Sequence, residues 1–86
     1  MVSKEFTIKN KVGLHARPAS LFVKKAKEYS SNISISAKGE EVDGKSMLSV
    51  LTLGAAKGTL IVIKADGDDE EEAVDALINT LNSFED

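Results

Sequence analysis

The chain has 86 residues, which is enough for one small domain and too few for two. It contains no cysteine, which excludes disulfides and thiolate metal sites, and its single histidine, His15, is the only imidazole available for chemistry. Its content of 42% hydrophobic and 29% charged residues, with a net charge of -3, is typical of a globular protein. We therefore expect one domain over residues 1–86.

The charge is distributed unevenly along the chain. Residues 1–65 contain all eleven basic side chains and five acidic ones, whereas residues 66–86 contain nine acidic side chains and no basic ones. A basic surface favours acidic partners or anions. The acidic segment is equally explained by a helix whose first turn favours carboxylates. Nucleic-acid binding is not expected, because the net charge is negative and only three Phe and one Tyr are available to stack on bases.

The spacing of the apolar residues predicts seven elements in the order strand, helix, strand, strand, helix, strand, helix. Alternation of apolar and polar residues indicates strands, and recurrence every three to four residues indicates helices. The last strand is apolar on both faces in its middle, so we expect it inside the sheet with helices near one side. The predicted ranges are 2–8, 16–29, 32–37, 40–42, 46–53, 59–65 and 69–84.

The middle helix has apolar residues on more than one face. Val50 and Leu53 share one face, while Met47 and Leu51 share another, with Leu48 beside them. A helix that lies on a sheet buries one side. The second face is therefore either covered in a tight core or exposed as a docking patch.

The segment from Gly13 to Ser20 is the most informative stretch for chemistry. Pro18 belongs in the first turn of a helix, so His15 lies at or just before a helix N-terminus, where unpaired N–H groups favour an anion. A phosphoryl group on His15 would be stabilised there, with the guanidinium of Arg17 two residues away. The alternative is a histidine that caps the helix or lies on the surface. No metal site is expected, because the chain has no second histidine and no cysteine.

Residues 39–46 fit the phosphate-loop pattern G-x-x-x-x-G-K-[ST], but three of the four intervening residues are acidic and would repel phosphates. Nucleotide binding is therefore not expected. Ser46 then has two interpretations, the N-cap of the middle helix or a site of modification, and the sequence alone favours the cap.

Residues 1–9 alternate in polarity and lack the apolar run of a signal peptide. The longest apolar stretch, residues 60–63, is too short to span a bilayer. We therefore expect a cytoplasmic protein with no membrane insertion.

The run KVGLHARPA, from Lys11 to Ala19, resembles the active-site motif of the histidine-containing phosphocarrier (HPr) family of the bacterial sugar phosphotransferase system. The total length, the position of His15, the segment from Gly44 to Gly54 and the acidic C-terminal helix are similar as well. The resemblance implies an α+β fold, an open-faced β-sandwich of order βαββαβα, with a four-stranded antiparallel sheet and three helices on one face.

The resemblance also implies a function. His15 would accept a phosphoryl group on Nδ1 from phosphorylated enzyme I and pass it to the enzyme IIA domains of sugar permeases, with Arg17 stabilising the group during transfer. Such a protein is a carrier without turnover of its own, and neither a cofactor nor an oligomer is expected. The partner-binding residues implied, including two lysines expected to border the docking face, are Ser20, Leu21, Lys24, Lys27, Met47, Leu48 and Leu51.

Ser46 matches the regulatory serine that an HPr kinase/phosphorylase modifies in many Gram-positive bacteria. In those proteins the phosphoserine slows transfer through the histidine and binds a catabolite-control transcription factor. The resemblance therefore leaves an alternative, a mainly regulatory module of carbon catabolite repression that acts through phosphorylated Ser46.

Overall fold

The computed structural model describes residues 1–14 and 16–84, and across these ranges the predicted order of elements is confirmed. Lys27 to Tyr29, predicted as part of the first helix, instead form a turn that follows it, in which the Tyr29 N–H donates to the Ala26 carbonyl at 3.3 Å. The other bounds agree with the prediction to within two residues. The elements are β1 Val2–Thr7, α1 Ala16–Ala26, β2 Asn32–Ala37, β3 Glu40–Asp43, α2 Met47–Thr52, β4 Leu60–Asp66 and α3 Glu70–Asn82.

The four strands form one antiparallel sheet in the order β1-β4-β2-β3. β4 lies inside the sheet, as its apolar middle predicted. It pairs with β1 from Val2 opposite Ala65 to Thr7 opposite Leu60. β2 and β3 form a hairpin around Lys38 and Gly39. The predicted open-faced β-sandwich, with the three helices on one face of the sheet, is thus confirmed.

The core lies between the inner face of the sheet and the helices. Every second residue of β2 and β4 is buried, and each helix adds the apolar side of its surface. Phe22 of α1 is the largest side chain that is completely buried. None of the helices in the described ranges has the length and hydropathy that a bilayer span needs. The core of the sheet and of α1 consists of Ile33, Ile35, Ala37, Ile61, Ile63, Ala65, Ala19, Phe22, Val23 and Ala26.

A carboxylate, Asp69, ties the segment after α1 to the start of α3. It accepts hydrogen bonds from the backbone N–H groups of Ser30, at 2.9 Å, and Ser31, at 3.0 Å, and from the Ser31 hydroxyl. Because these donors stabilise the ionised form, the Ser31 hydroxyl most of all, they lower the pKa of Asp69 to about 2. The stability contributed by this carboxylate is therefore present above its ordinary pKa of 3.8 and is lost as the pH falls through about 2.

We expect Asp69→Asn to lower the free energy of unfolding at neutral pH, because an amide NH₂ would face donors that now bind a carboxylate oxygen. The difference in free energy of unfolding between the variant and the wild type should become smaller as the pH falls from about 4 to about 2, since only the wild type protonates at this site. Urea unfolding across this range checks the expectation. The pKa of neighbouring Glu70 is also lowered, by the Gly67 N–H first of all, so the difference between the two proteins is the quantity to follow. A gap that does not change with pH would contradict this assignment.

Candidate functional site

The segment between β1 and α1 runs beside a second turn, residues 55–59. The Ile8 N–H donates to the Thr59 carbonyl at 3.0 Å, and the Gly58 N–H donates to the Ile8 carbonyl at 2.8 Å. Within residues 55–59, the Thr59 hydroxyl accepts from the Ala56 N–H at 3.2 Å. Two loops at one end of the sheet are therefore joined by backbone hydrogen bonds before α1 begins.

A tight turn from Asn10 to Gly13 follows β1 and ends two residues before position 15. The Gly13 N–H donates to the Asn10 carbonyl at 3.2 Å, and the Asn10 side-chain amide Nδ2 donates back to the Gly13 carbonyl at 2.8 Å. The next residue, Leu14, is buried and its N–H donates to the Ala55 carbonyl at 2.8 Å. The turn is thereby fixed both internally and against the neighbouring loop.

Gly13 allows these two loops to touch. Its φ is +68°, in the left-handed region that favours glycine. A Cβ atom there would overlap the carbonyl oxygen of Ala55 and lie 2.8 Å from the Cα of Ala56. Gly13 therefore allows the sharp turn after β1, and the contact shows that the position also requires the absence of a side chain.

Position 15, on which the proposed chemistry depends, lies outside the described residues. In the chain it connects Leu14, which follows the turn, to Ala16, the first residue of α1. Pro18 is buried within the first turn of this helix, as predicted. The first turn of a helix has N–H groups without intrahelical partners, and the helix dipole favours negative charge there.

The basic side chains assigned to this region are exposed. Arg17 and Lys24 lie on the exposed side of α1, Lys27 lies in the turn that follows it, and all three take part in none of the ion pairs among residues 1–14 and 16–84. Lys25 instead pairs with Glu28 at 3.3 Å. The outer surface of α1 is therefore a cationic face whose charges are not neutralised by the described part of the chain.

Ser46 is the N-cap of α2, which confirms its structural interpretation. Its backbone is extended, its side-chain oxygen accepts from the Ser49 N–H at 3.3 Å, and the side chain is half-buried. The phosphate-loop pattern of residues 39–46 runs through the antiparallel hairpin strand β3. A phosphate loop follows a parallel strand and opens a helix, so the rejection of nucleotide binding agrees with this geometry.

The apolar residues of α2 assigned to partner binding differ in exposure. Leu48 is 74% exposed, whereas Met47 and Leu51 are half-buried and pack against the core. The reason is that α2 has only six residues and buries Val50 completely, which brings both flanking side chains close to the core. On the adjacent α1, Leu21 is 45% exposed.

Sequence reasoning missed two residues of this region, Asn10 and Val12. Asn10 is only 7% exposed and closes the turn, whereas Val12 is half exposed within it. Asn at the first position and Gly at the fourth position of a four-residue segment favour a type I turn, so the pair Asn10 and Gly13 contained the signal. No corresponding signal was present for Val12.

Comparisons with known proteins agree with this arrangement. The family model described as the PTS HPr component phosphorylation site matches residues 2–83. The phosphocarrier protein HPr of Borreliella burgdorferi is 51% identical over 84 residues, which cover 98% of each chain. The crystal structure of HPr-C-His from Thermoanaerobacter tengcongensis superposes with a TM-score of 0.93 at 43% identity, covering 96% of this chain and 93% of that one.

Two further relatives are a protein named as HPr-like and an HPr dimer. The HPr-like protein Crh of Halalkalibacterium halodurans is 42% identical over 78 residues, covering 91% of this chain and 93% of that protein. An HPr dimer from Thermoanaerobacter tengcongensis superposes with a TM-score of 0.78 at 45% identity, covering 91% of this chain and 90% of that one.

The fold and the matched site define a phosphocarrier of the phosphotransferase system, which by its family name carries a phosphoryl group rather than acting as a catalytic enzyme. The chain belongs to the HPr family.

Proposed function

We propose that this chain accepts a phosphoryl group on His15 from phosphorylated enzyme I and donates it to enzyme IIA domains of sugar permeases. The observation that carries the proposal is the position of the chain's single histidine, directly before α1, within the segment that the phosphorylation-site model of the family matches. The unpaired N–H groups of the first helical turn and the exposed guanidinium of Arg17 support an anionic group in that position.

The proposed chemistry is two successive transfers to and from a nitrogen. The lone pair of His15 Nδ1 attacks phosphorus, and the bond between phosphorus and enzyme I breaks as the new P–N bond forms. In the second step the P–N bond breaks as a nucleophile of the IIA domain attacks. Arg17 would balance the negative charge on the phosphoryl oxygens in both steps without forming a bond to phosphorus.

Radiolabelled phosphoenolpyruvate and enzyme I test the carrier function. The wild type should take up one phosphate that is lost in acid, because phosphohistidine is acid-labile, and His15→Ala should take up none. Arg17→Ala should still accept the group, at a rate reduced by about 10-fold or more, since one charge-assisted contact is removed. Label on His15→Ala equal to that on the wild type would refute the proposal.

The exposed leucines of α1 and α2 are proposed to form the apolar part of the docking face, bordered by Ser20, Lys24 and Lys27. Met47 and Leu51 would contribute only the parts of their side chains that stay accessible. Leu48→Ala should raise the KM of enzyme I for this chain by about 10-fold, since a partner-buried leucine contributes roughly 1.5–3 kcal/mol. Steady-state transfer kinetics measure this effect.

Leu60→Ala is the matched control for the docking face. Leu60 is 50% exposed on the β4 strand, and it lies on the sheet face that the helices leave open. Its truncation should leave the KM unchanged within experimental error. Equal effects of the two substitutions would remove the support for docking through α2.

A second role, regulation through Ser46, is favoured by the place of this residue at the N-cap of α2 and by the similarity to Crh. A phosphate there would add about two negative charges at the start of α2, which packs against α1 and carries the exposed Leu48. The proposed partners of this form are an HPr kinase/phosphorylase and a catabolite-control transcription factor. Acid-stable label that requires ATP and a kinase would identify this regulatory role, which can coexist with transfer through His15, whereas such label without any acid-labile label would identify a mainly regulatory module.

We expect Ser46→Asp to slow phosphoryl uptake at His15 by about 10-fold at low salt, because a negative charge repels an acidic partner. Raising the ionic strength to 0.5 M should remove most of the difference. Ser46→Asn is the matched control, since Asn and Asp are similar in size and both are favoured at the N-cap. Persistence of the Ser46→Asp defect at high salt would point to a conformational mechanism instead.

We further propose that residues 1–86 act as one domain, as a monomer in the cytoplasm. Light scattering of the purified chain at micromolar concentration tests the assembly state, with a mass near 9.2 kDa expected. A concentration-independent mass of twice that value would show a dimer.

A further inference from the structure

We propose that Asn10 is a positioning residue for phosphoryl transfer, which fixes the backbone directly before position 15 without touching the phosphoryl group. The inference rests on the proposed carrier function and adds to it a residue outside the KVGLHARPA motif. Its basis is the hydrogen-bonded turn between Asn10 and Gly13 and the contact of that turn with residues 55–59.

Asn10 holds both ends of the turn. Its backbone carbonyl accepts from the Gly13 N–H at 3.2 Å, and its side-chain Nδ2 donates to the Gly13 carbonyl at 2.8 Å. Asn10 is 7% exposed, and in residues 1–14 and 16–84 the only other polar side chain that is buried belongs to Ser31. Burying a polar side chain costs free energy unless the side chain forms hydrogen bonds. The hydrogen bond of the Asn10 amide to the Gly13 carbonyl therefore points to a specific role for this amide.

The residues that follow Asn10 in the turn are held against the neighbouring loop. Gly13 is itself buried and lies against the backbone of Ala55 and Ala56, and Leu14 donates its N–H to the Ala55 carbonyl at 2.8 Å. The Leu14 side chain is 2% exposed. The peptide group between Gly13 and Leu14 is therefore held from both sides, its carbonyl by Asn10 and its N–H by Ala55, and the residue that follows Leu14 in the chain is the proposed phosphoryl acceptor.

Loss of the Asn10 amide would leave the Gly13 carbonyl buried without this donor. The turn can relieve that cost by rotating the peptide between Gly13 and Leu14 toward solvent, which would shift the residue that follows. Transfer between two proteins requires the attacking nitrogen to align with phosphorus, and a displacement of about 1 Å can slow such a step by up to roughly 100-fold. A positioning defect should therefore lower kcat. The apolar docking residues on α1 and α2 are unaffected, so the KM should change little.

The test measures kcat and KM for transfer from phosphorylated enzyme I to Asn10→Ala, with the protein kept folded well below its Tm. We expect kcat to fall about 10-fold and the KM to change by less than about two-fold. Two variants serve as controls. Leu48→Ala should show the opposite pattern, with a raised KM and a near-normal kcat. Ser31→Ala also removes a buried hydroxyl from a hydrogen-bonded network, but at Asp69, and should leave both constants unchanged.

A spectroscopic readout separates positioning from general loss of stability. The chain has one histidine, so its imidazole resonances are identified without assignment of other residues. Asn10→Ala should shift these resonances and speed hydrogen exchange of the Leu14 amide, whereas Ser31→Ala should do neither. Asn10→Asp keeps the size of the side chain but places an acceptor against the Gly13 carbonyl, and it should reproduce the kinetic defect.

Three outcomes would overturn the inference. The first is a folded Asn10→Ala protein with wild-type kcat and unchanged imidazole resonances. The second is an equal fall in kcat in Asn10→Ala and in Ser31→Ala, when the two variants have the same free energy of unfolding. The third is failure of both Asn10 variants to fold at 5 °C, which would give Asn10 a role in the stability of the whole domain. By contrast, a wild-type chain that takes up no label would refute the proposed carrier function itself.

Discussion

Gly13→Ala is expected to destabilise the protein by about 2–4 kcal/mol and to slow phosphoryl uptake by more than 10-fold. The new Cβ would overlap the Ala55 carbonyl oxygen, and all three of its nearest atoms belong to backbone, which cannot move aside as a flexible side chain can. The φ of +68° adds a penalty of about 1–2 kcal/mol for a residue with a side chain. Urea unfolding and transfer from phosphorylated enzyme I measure the two effects.

Gly39→Ala is the control for this prediction. Gly39 has a φ of +84° in the hairpin between β2 and β3, but a Cβ there would meet no atom within 4 Å. It should cost only the conformational penalty of about 1–2 kcal/mol and leave transfer unchanged. Equal losses of stability in the two variants would show that the contact between Gly13 and the 55–59 turn contributes nothing.

Phe22→Ala should lower the free energy of unfolding by about 3–5 kcal/mol. Phe22 is fully buried between α1 and the sheet, so its removal takes away apolar contacts and leaves a cavity that its rigid neighbours cannot fill completely. A domain of this size has a total stability of roughly 5–15 kcal/mol, and Tm should fall by about 15 °C or more. Thermal and urea unfolding check the value.

Leu21→Ala, the neighbouring position on α1, is the control for packing. Leu21 is 45% exposed, so its truncation should cost less than about 1 kcal/mol. Its effect should instead be seen in the KM for enzyme I. A loss of stability as large as that of Phe22→Ala would contradict the assignment of the two faces of the helix.

The fold was predictable because the apolar residues of each element recur with the period of a strand or of a helix. Ile33, Ile35 and Ala37 alternate with serines, and β2 has the predicted bounds Asn32–Ala37. The end of α1 was less predictable. Tyr29 continues the apolar stripe of the helix, yet the chain leaves the helix after Ala26 and Tyr29 packs against the core from a turn. Apolar spacing reports which side chains are buried, and it does not fix where backbone hydrogen bonding changes.

The chemistry of the site stays a prediction, whereas part of its backbone support is observed. Residue types place a lone histidine before Pro18 with Arg17 beside it, which leaves open both an anion site and a capping histidine; the resemblance to the HPr family favours the anion site. The contact between Gly13 and Ala55 joins segments about 40 residues apart in the chain, and no local pattern predicts which loops meet. The sequence left the exposure of α2 open for the same reason, since the share of Met47 that the core covers depends on how closely a six-residue helix packs on its neighbours.

Intact-mass spectrometry of the chain through one complete relay tests the account most directly. After incubation with phosphoenolpyruvate and enzyme I, the mass should rise by one phosphoryl group, and it should return to the starting value when an excess of a IIA domain is added. His15→Ala should show no change at either stage. A phosphorylated chain whose mass does not fall on addition of a competent IIA domain, or a phosphate retained by His15→Ala, would contradict a carrier function at His15.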